Sequence, residues 1–516
     1  MRQALAGIAA AAAVAAGLLI AAPAASGAVG ALSYEGCLSG EEDTLVPHCD
    51  LISTSSPGGE GSGMNAPESV TVSEDGRWVY AAARQDDSIA RFRRRDDGTL
   101  RYRGCITGDS DVACETSPFA VPGGAGSGLD DVRSLVISRD GRWAFAAIAN
   151  DDGVARLKRD TRTGELTFKG CLTGDDQFTR AARRGTPPGC DPVEGATGDG
   201  ADSGLDHPKS LVLSRDGTSL YVAATNDAAV ARFKRDTGNG KLAYKGCVTG
   251  ETESGPTGSG ACTEIDAAAS QGDNSGLDDA RGLALAQGGR TLLGVSSDDD
   301  ALFVFDRDRD NGRLDYEGCS SGEFATATLA CDGLNETPDG ENSGLDDLRS
   351  LALSRDGGSL YVISRFDASI YHFPVGASGV PTCLSAETGS AGDDPCTSLG
   401  TPTATGQDTG FAFPESVVVS RDSRSVYVSS ANDAAVTRFR RDRETGELTF
   451  NDCITGEEES GPGGSGACAT EIATATSGGT DSGLEFPQFM ALSPDDASLY
   501  LAAGQDDAVA TFSRDG

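Results

Sequence analysis

Seven positions carry the side chains best suited to chemistry: Glu68, Arg133, Lys209, Arg281, Arg349, Glu415 and Gln488. Each stands just before a short apolar run of β-forming residues, and they recur about once per repeat. Four successive cations therefore face two glutamates. A guanidinium offers a planar fork of donors that matches a carboxylate, and an ammonium adds a compact point charge. If they converge, Glu68, Arg133, Lys209, Arg281, Arg349 and Glu415 form a mouth for a small anionic ligand. Long charged side chains can equally pair among themselves. General acid–base catalysis has few candidates, because the chain has three histidines, His48, His207 and His372. Of these only His207, beside Pro208 and Lys209, stands where it could serve as a base. No residue is assigned a catalytic role.

The elements that must position these residues are repeats. A Ser/Thr-Gly step followed by an apolar residue occurs at Gly63, Gly128, Gly204, Gly276, Gly344, Gly410 and Gly483, with separations of 65, 76, 72, 68, 66 and 73 residues. A period of this length marks a repeat architecture. In the copy from Ser203 to Asp236, runs at 210–214, 220–224 and 230–234 alternate with Asp/Asn/Gly turns, and 241–247 follows as a fourth run. Four short strands joined by tight turns form an antiparallel meander. One meander cannot bury both faces, so the copies must stack, and radial stacking gives a β-propeller. The last copy ends at Gly516 after its third strand, while Leu32–Cys37 matches the fourth strands that begin at Leu100, Leu166 and Leu314. The N-terminal strand is therefore expected to complete the seventh blade, closing the ring and removing open sheet edges. The expected fold is all-β, seven-bladed, with four antiparallel strands per blade and one domain over 29–516. Trp78 and Trp143 share one slot in their copies and are expected in the core.

Fourteen cysteines fall two per repeat around the loop after the fourth strand. Repetition pairs them as Cys37–Cys49, Cys105–Cys114, Cys171–Cys190, Cys247–Cys262, Cys319–Cys331, Cys383–Cys396 and Cys453–Cys468. Zinc is not indicated, since the spacing is not CxxC and histidine is scarce. Met1-Arg-Gln followed by an Ala/Leu run reads as a signal peptide over 1–28, with cleavage sites near Ala24 and Ala28. No later segment is apolar enough to span a membrane. The expected product is a secreted, extracellular or cell-envelope monomer. Its net charge of −37 opposes nucleic acid and anionic membranes as partners. That leaves a small anionic ligand or an extracellular protein or glycan. Arg180, Arg183 and Arg184 form the one basic loop cluster.

No cofactor is required, although calcium is a candidate. Asp306–Glu317 carries acids at positions 1, 3, 5 and 12, as an EF-hand loop does, but its glycine is displaced. One Asp recurs in every second-to-third turn: Asp86, Asp151, Asp227, Asp299, Asp367, Asp433 and Asp506. Its expected role is to form its own turn by bonding local backbone.

The units Ser214-Arg-Asp-Gly-Thr-Ser-Leu-Tyr-Val-Ala223 and Asn226-Asp-Ala-Ala-Val-Ala-Arg-Phe-Lys-Arg-Asp236 resemble lactonase-type and YVTN-type seven-bladed propeller repeats, across nearly the whole mature chain. The resemblance implies the propeller fold. It also implies, as in 6-phosphogluconolactonase-like members, lactone hydrolysis by His, Arg and Glu at the channel mouth. Arg133, Lys209, Arg281 and Arg349 match the Arg slot. The adjoining His slot holds Ser134, Ser210, Gly282 and Ser350. A binding or scaffold module is therefore the leading reading, with lactone hydrolase as the alternative.

Overall fold

The computed structural model describes residues 29–42, 49–177, 190–286, 288–323, 331–337, 341–375, 380–387, 396–464 and 466–516. The proposed signal peptide, His48 and the Arg180–Arg184 cluster lie outside them. Seven sheets surround one axis. In the third, Pro208–Leu213, Ser219–Ala224, Ala229–Arg235 and Leu242–Glu251 pair antiparallel in that order. The first strands of neighbouring blades touch all round, forming the channel wall. Second strands such as Leu220-Tyr-Val-Ala-Ala224 are buried on both faces, which suits their β-branched, aromatic and small apolar residues.

Each blade also has a fifth strand, which the sequence reading did not include. Thr263–Ala269 runs parallel to the fourth strand, with Val248 opposite Thr263, and the other six blades repeat this. The seven disulfides tie the fourth strand to the start of this fifth one. They explain the repeated glycine. Gly204 has φ +78°, and a Cβ there would stand 2.4 Å from Cys247 Sγ and 2.5 Å from Cys262 Sγ. Only glycine, which lacks a Cβ, can sit left-handed this close to a disulfide.

The ring closes as the repeat requires. Leu32–Glu41 pairs antiparallel with Ala508–Arg514, Leu32 opposite Arg514 and Ser39 opposite Ala508. Between blades, a buried tyrosine on one second strand meets an arginine at the end of the next blade's third strand. Tyr80 donates to Gly164 O at 2.6 Å and accepts from Arg159 Nε at 2.7 Å. Tyr221 with Arg307, Tyr361 with Arg441, Tyr427 with Arg514 and Tyr500 with Arg94 repeat the arrangement. Trp78 and Trp143 are buried against the turn glycines Gly164 and Gly240 of the following blades.

Candidate functional site

Every charged position singled out above is a β-bulge. In the third blade Pro208 pairs with Ala224 and Ser210 with Ala223, which leaves Lys209 as the extra residue. The same slip occurs at Glu68, Arg133, Arg281, Arg349 and Glu415, and spans Gln488 and Phe489 in the last blade. A bulge turns one side chain out of the pleat's alternation. Here it turns them into one cavity of about 220 Å³, lined by all seven positions.

The residue two places earlier sets the approach. Ala66, Asp131, His207, Asp279, Asp347, Phe413 and Phe486 all have φ between +50° and +59°. Non-glycine residues held there cost on the order of 1 kcal/mol each. In four blades an aspartate of the preceding blade anchors the strained residue. Asp87 Oδ1 accepts from Asp131 N, Asp152 Oδ1 from His207 N, Asp300 Oδ1 from Asp347 N and Asp507 Oδ1 from Ala66 N, at 2.7 to 3.0 Å.

Charge is balanced within the cavity. Arg133 bridges Glu68 at 2.7 Å and Asp131 at 2.6 Å. Arg281 Nε reaches Asp279 Oδ2 at 2.9 Å and Ser297 Oγ at 2.8 Å, and Arg349 pairs with Asp347 at 2.6 Å. Each arginine is thus braced by an aspartate two residues before it. Lys209 has His207 in that place, and its ion pair is with Glu68 at 3.9 Å. Burial lowers the Lys209 ammonium; Glu68 opposes this, while Arg133 and Arg281 add to it. Burial raises the Glu415 carboxyl against the pull of Arg349 and Arg365. Burial, Lys209 and Arg133 push His207 down to about 4, so its ring is neutral at pH 7.

Two further cations line the cavity, Arg84 and Arg365. Arg365 lies 3.0 Å from Glu415 and stacks 4.8 Å from the Phe413 ring centroid. Both follow a second strand, in a slot where the other blades have Ala149, Thr225, Ser297, Ala431 and Gly504. Comparing that slot across repeats would have found them. The lining thus has six cations against Glu68 and Glu415, with Asp131, Asp279 and Asp347 behind them. Arg84 also borders a cleft of about 730 Å³ of the opposite character, where Glu60, Asp87, Asp109, Asp111 and Asp130 gather.

The recurring turn aspartates do not form their own turns, contrary to the sequence expectation. Asp86 accepts from the backbone N–H of Gly61, Gly63, Met64 and Asn65, at 2.7 to 3.0 Å. Asp151, Asp367 and Asp433 likewise hold the loop entering their own blade's first strand. The carboxylates are structural, but they act on backbone 21 to 25 residues away. Among described residues, the acids closest to a cation-binding grouping are Asp202, Asp227 and Glu251, and their counterparts Asp408, Asp433 and Glu457, with oxygens within 4.8 Å of one another. In the Asp306–Glu317 stretch, Asp306 pairs across strands with Asp315 and Asp308 caps the turn through Asp310 N, so these acids serve a hairpin. His372 is buried on the outer side, stacked on Tyr361 and bonded to Ser359 at 3.0 Å.

A model of the family described as "Lactonase, 7-bladed beta-propeller" matches residues 42–110, which include Glu68 and Arg84. No curated protein matches the chain. Among solved structures, hydrazine synthase of Kuenenia stuttgartiensis is similar at 12% identity and TM-score 0.50, over 87% of this chain and 96% of that one. The periplasmic gluconolactonase of Pseudomonas aeruginosa is similar at 17% identity and TM-score 0.47, over 75% and 85%. Virginiamycin B lyase of Staphylococcus aureus is similar at 11% and 0.46, over 87% and 95%. At these identities the first of the three speaks for the fold alone. The protein is thus a seven-bladed β-propeller stapled by seven disulfides, and in its repeats it resembles the lactonase family.

Proposed function

We propose that the protein is an exported binding module that takes a small carboxylate-bearing ligand at the mouth of its channel. The observation that carries this is the convergence of Arg84, Arg133, Lys209, Arg281, Arg349 and Arg365 on one cavity of about 220 Å³, in a chain of net charge −37. A cavity of that size suits a ligand of a few heavy atoms. The neighbouring acidic cleft would repel a polyanion while leaving a small anion free to enter. Export through residues 1–28 is supported by seven disulfides, which persist in oxidising compartments. Among described residues, no helix is long and apolar enough to cross a membrane.

Titration calorimetry with a panel of small mono- and dicarboxylates tests the reading. Binding weakened about tenfold or more by Arg281→Ala, roughly the loss of one charge-assisted contact, is the expected result. A panel that binds nowhere, or equally well to the variant, overturns it and leaves a protein or glycan as the partner to seek.

The family match over residues 42–110 favours a second reading, lactone hydrolysis at the same mouth. Neutral His207 would be its base. Titration of acid release from simple and sugar-derived lactones decides it: turnover lost in Arg281→Ala supports hydrolysis, and no turnover by folded protein dismisses it.

A further inference from the structure

Lys209 is the exception in this chain's use of cations. There are six lysines, Lys158, Lys169, Lys209, Lys234, Lys241 and Lys245, and among them Lys209 alone is not exposed. It occupies a bulge where the second, fourth and fifth blades have arginine. It lacks the aspartate brace of those arginines, because His207 stands in that place. Its amine lines the cavity between Arg133 of one neighbouring blade and Arg281 of the other. Its ion pair with Glu68 is long, at 3.9 Å, whereas Glu68 is held at 2.7 Å by Arg133. An arginine would serve simple anion binding as well and would never deprotonate. A desolvated lysine among cations is instead the arrangement that frees an amine for nucleophilic attack.

From this placement we infer that Lys209 forms a covalent imine with the carbonyl of a small oxo acid whose carboxylate is held by Arg281 and Arg349. The inference rests on the anion-binding reading above and names the ligand class. Uncharged Nζ attacks the carbonyl carbon, and an N–C bond forms as the C=O π pair moves to oxygen. Glu68 passes the proton lost by nitrogen to that oxygen. A second proton, taken from solvent, protonates the carbinolamine hydroxyl. It departs as water as its C–O bond breaks and the nitrogen lone pair forms the C=N bond, leaving a protonated C=N link. No oxidant, reductant or metal is needed. Burial, with Arg133 and Arg281 acting against Glu68, lowers the Lys209 ammonium, the direction that favours the free amine.

The test is reductive trapping with the folded, disulfide-closed protein. It is incubated with glyoxylate or pyruvate, reduced with borohydride and examined by intact mass and peptide mapping, with calorimetry of pyruvate and lactate in parallel. The expected result is one adduct per chain, on the peptide containing Lys209, at least tenfold above the exposed lysines. The adduct should be suppressed by excess lactate and absent from Lys209→Arg. Lactate and pyruvate binding without an adduct overturns the imine and leaves the anion site standing. Adducts spread over the exposed lysines overturn it too, even if Lys209→Arg fails to fold, because the map is read on the unaltered protein. Neither binding nor adduct removes both readings.

Discussion

Arg235 lies with its guanidinium 5.5 Å from the ring centroid of Phe145, at the one blade junction where an arginine meets phenylalanine instead of tyrosine. Its Nε and one terminal nitrogen are buried without hydrogen-bond partners. At five other junctions a tyrosine hydroxyl accepts from that Nε and donates to a turn glycine carbonyl. At the remaining junction both partners are gone together: Leu293 stands in the tyrosine slot and Val375 packs against its cluster.

Phe145→Tyr should therefore stabilise the protein by about 1 kcal/mol, since it supplies an acceptor to Arg235 and a donor to Gly240 O. Tyr221→Phe should destabilise by about 1–3 kcal/mol by leaving Arg307 Nε and Gly312 O without that partner. Thermal denaturation of the two variants checks both signs. If the Phe145 variant melts at or below the parent, the hydroxyl does not reach its partners.

Burial pushes Asp300 up to about 9, and Asp87 and Asp152 to about 8. The unfolded chain ionises these groups near 3.9. Between the two values the folded state holds more protons, so stability is fully present below about pH 4 and is lost as pH rises toward 8–9. Asp356 runs the other way. Burial raises it, but Ser354, Gly358 N–H and Arg441 hold its carboxyl below the usual range, so its contribution is lost in acid. Melting temperature should peak at mildly acidic pH. Asp300→Asn keeps an acceptor for Asp347 N–H and should flatten the alkaline decline. An unchanged slope would show that Asp300 is ionised in the folded protein.

Gly204→Ala puts a Cβ into the space of the Cys247–Cys262 disulfide at a left-handed φ. Free thiols should appear in denatured protein, or stability should fall by roughly 2–5 kcal/mol, the range for loss of a native disulfide. Thiol titration with a melting curve distinguishes the two.

Arg84→Ala and Arg365→Ala remove cations that reach the cavity from the second-strand ends. Each should weaken carboxylate binding several-fold, and Arg84→Ala, which breaks no ion pair among the described residues, should leave the melting temperature within about 2 °C. Calorimetry beside a melt reads both. Of the two, Arg365→Ala should show the larger melting change, since it also frees Glu415.

The ring was legible because each charged residue precedes an apolar run at a fixed place in the repeat. Arg84 and Arg365 were not, because only two copies of seven carry a cation in that slot. The fifth strand was hidden for another reason. Thr263–Ala269 pairs through its backbone with a parallel neighbour after a disulfide loop, so no hairpin turn announces it. The turn aspartates misled because local propensity already accounted for Asp in every copy. Their real partners, such as Gly63 N for Asp86, sit in loops that only the closed blade brings near.

Pairing Leu32–Glu41 with Ala508–Arg514 also sets an order of events. During synthesis the first strand emerges with no partner and waits for almost the whole polypeptide before its edge can be covered. The Cys37–Cys49 bond can shut early, yet until the far end arrives it joins only a two-stranded ribbon. Assembly of the last blade is thus the slowest contact to find and the most exposed to aggregation or clipping. Once made, it is a clasp, and unfolding from either terminus must first undo it.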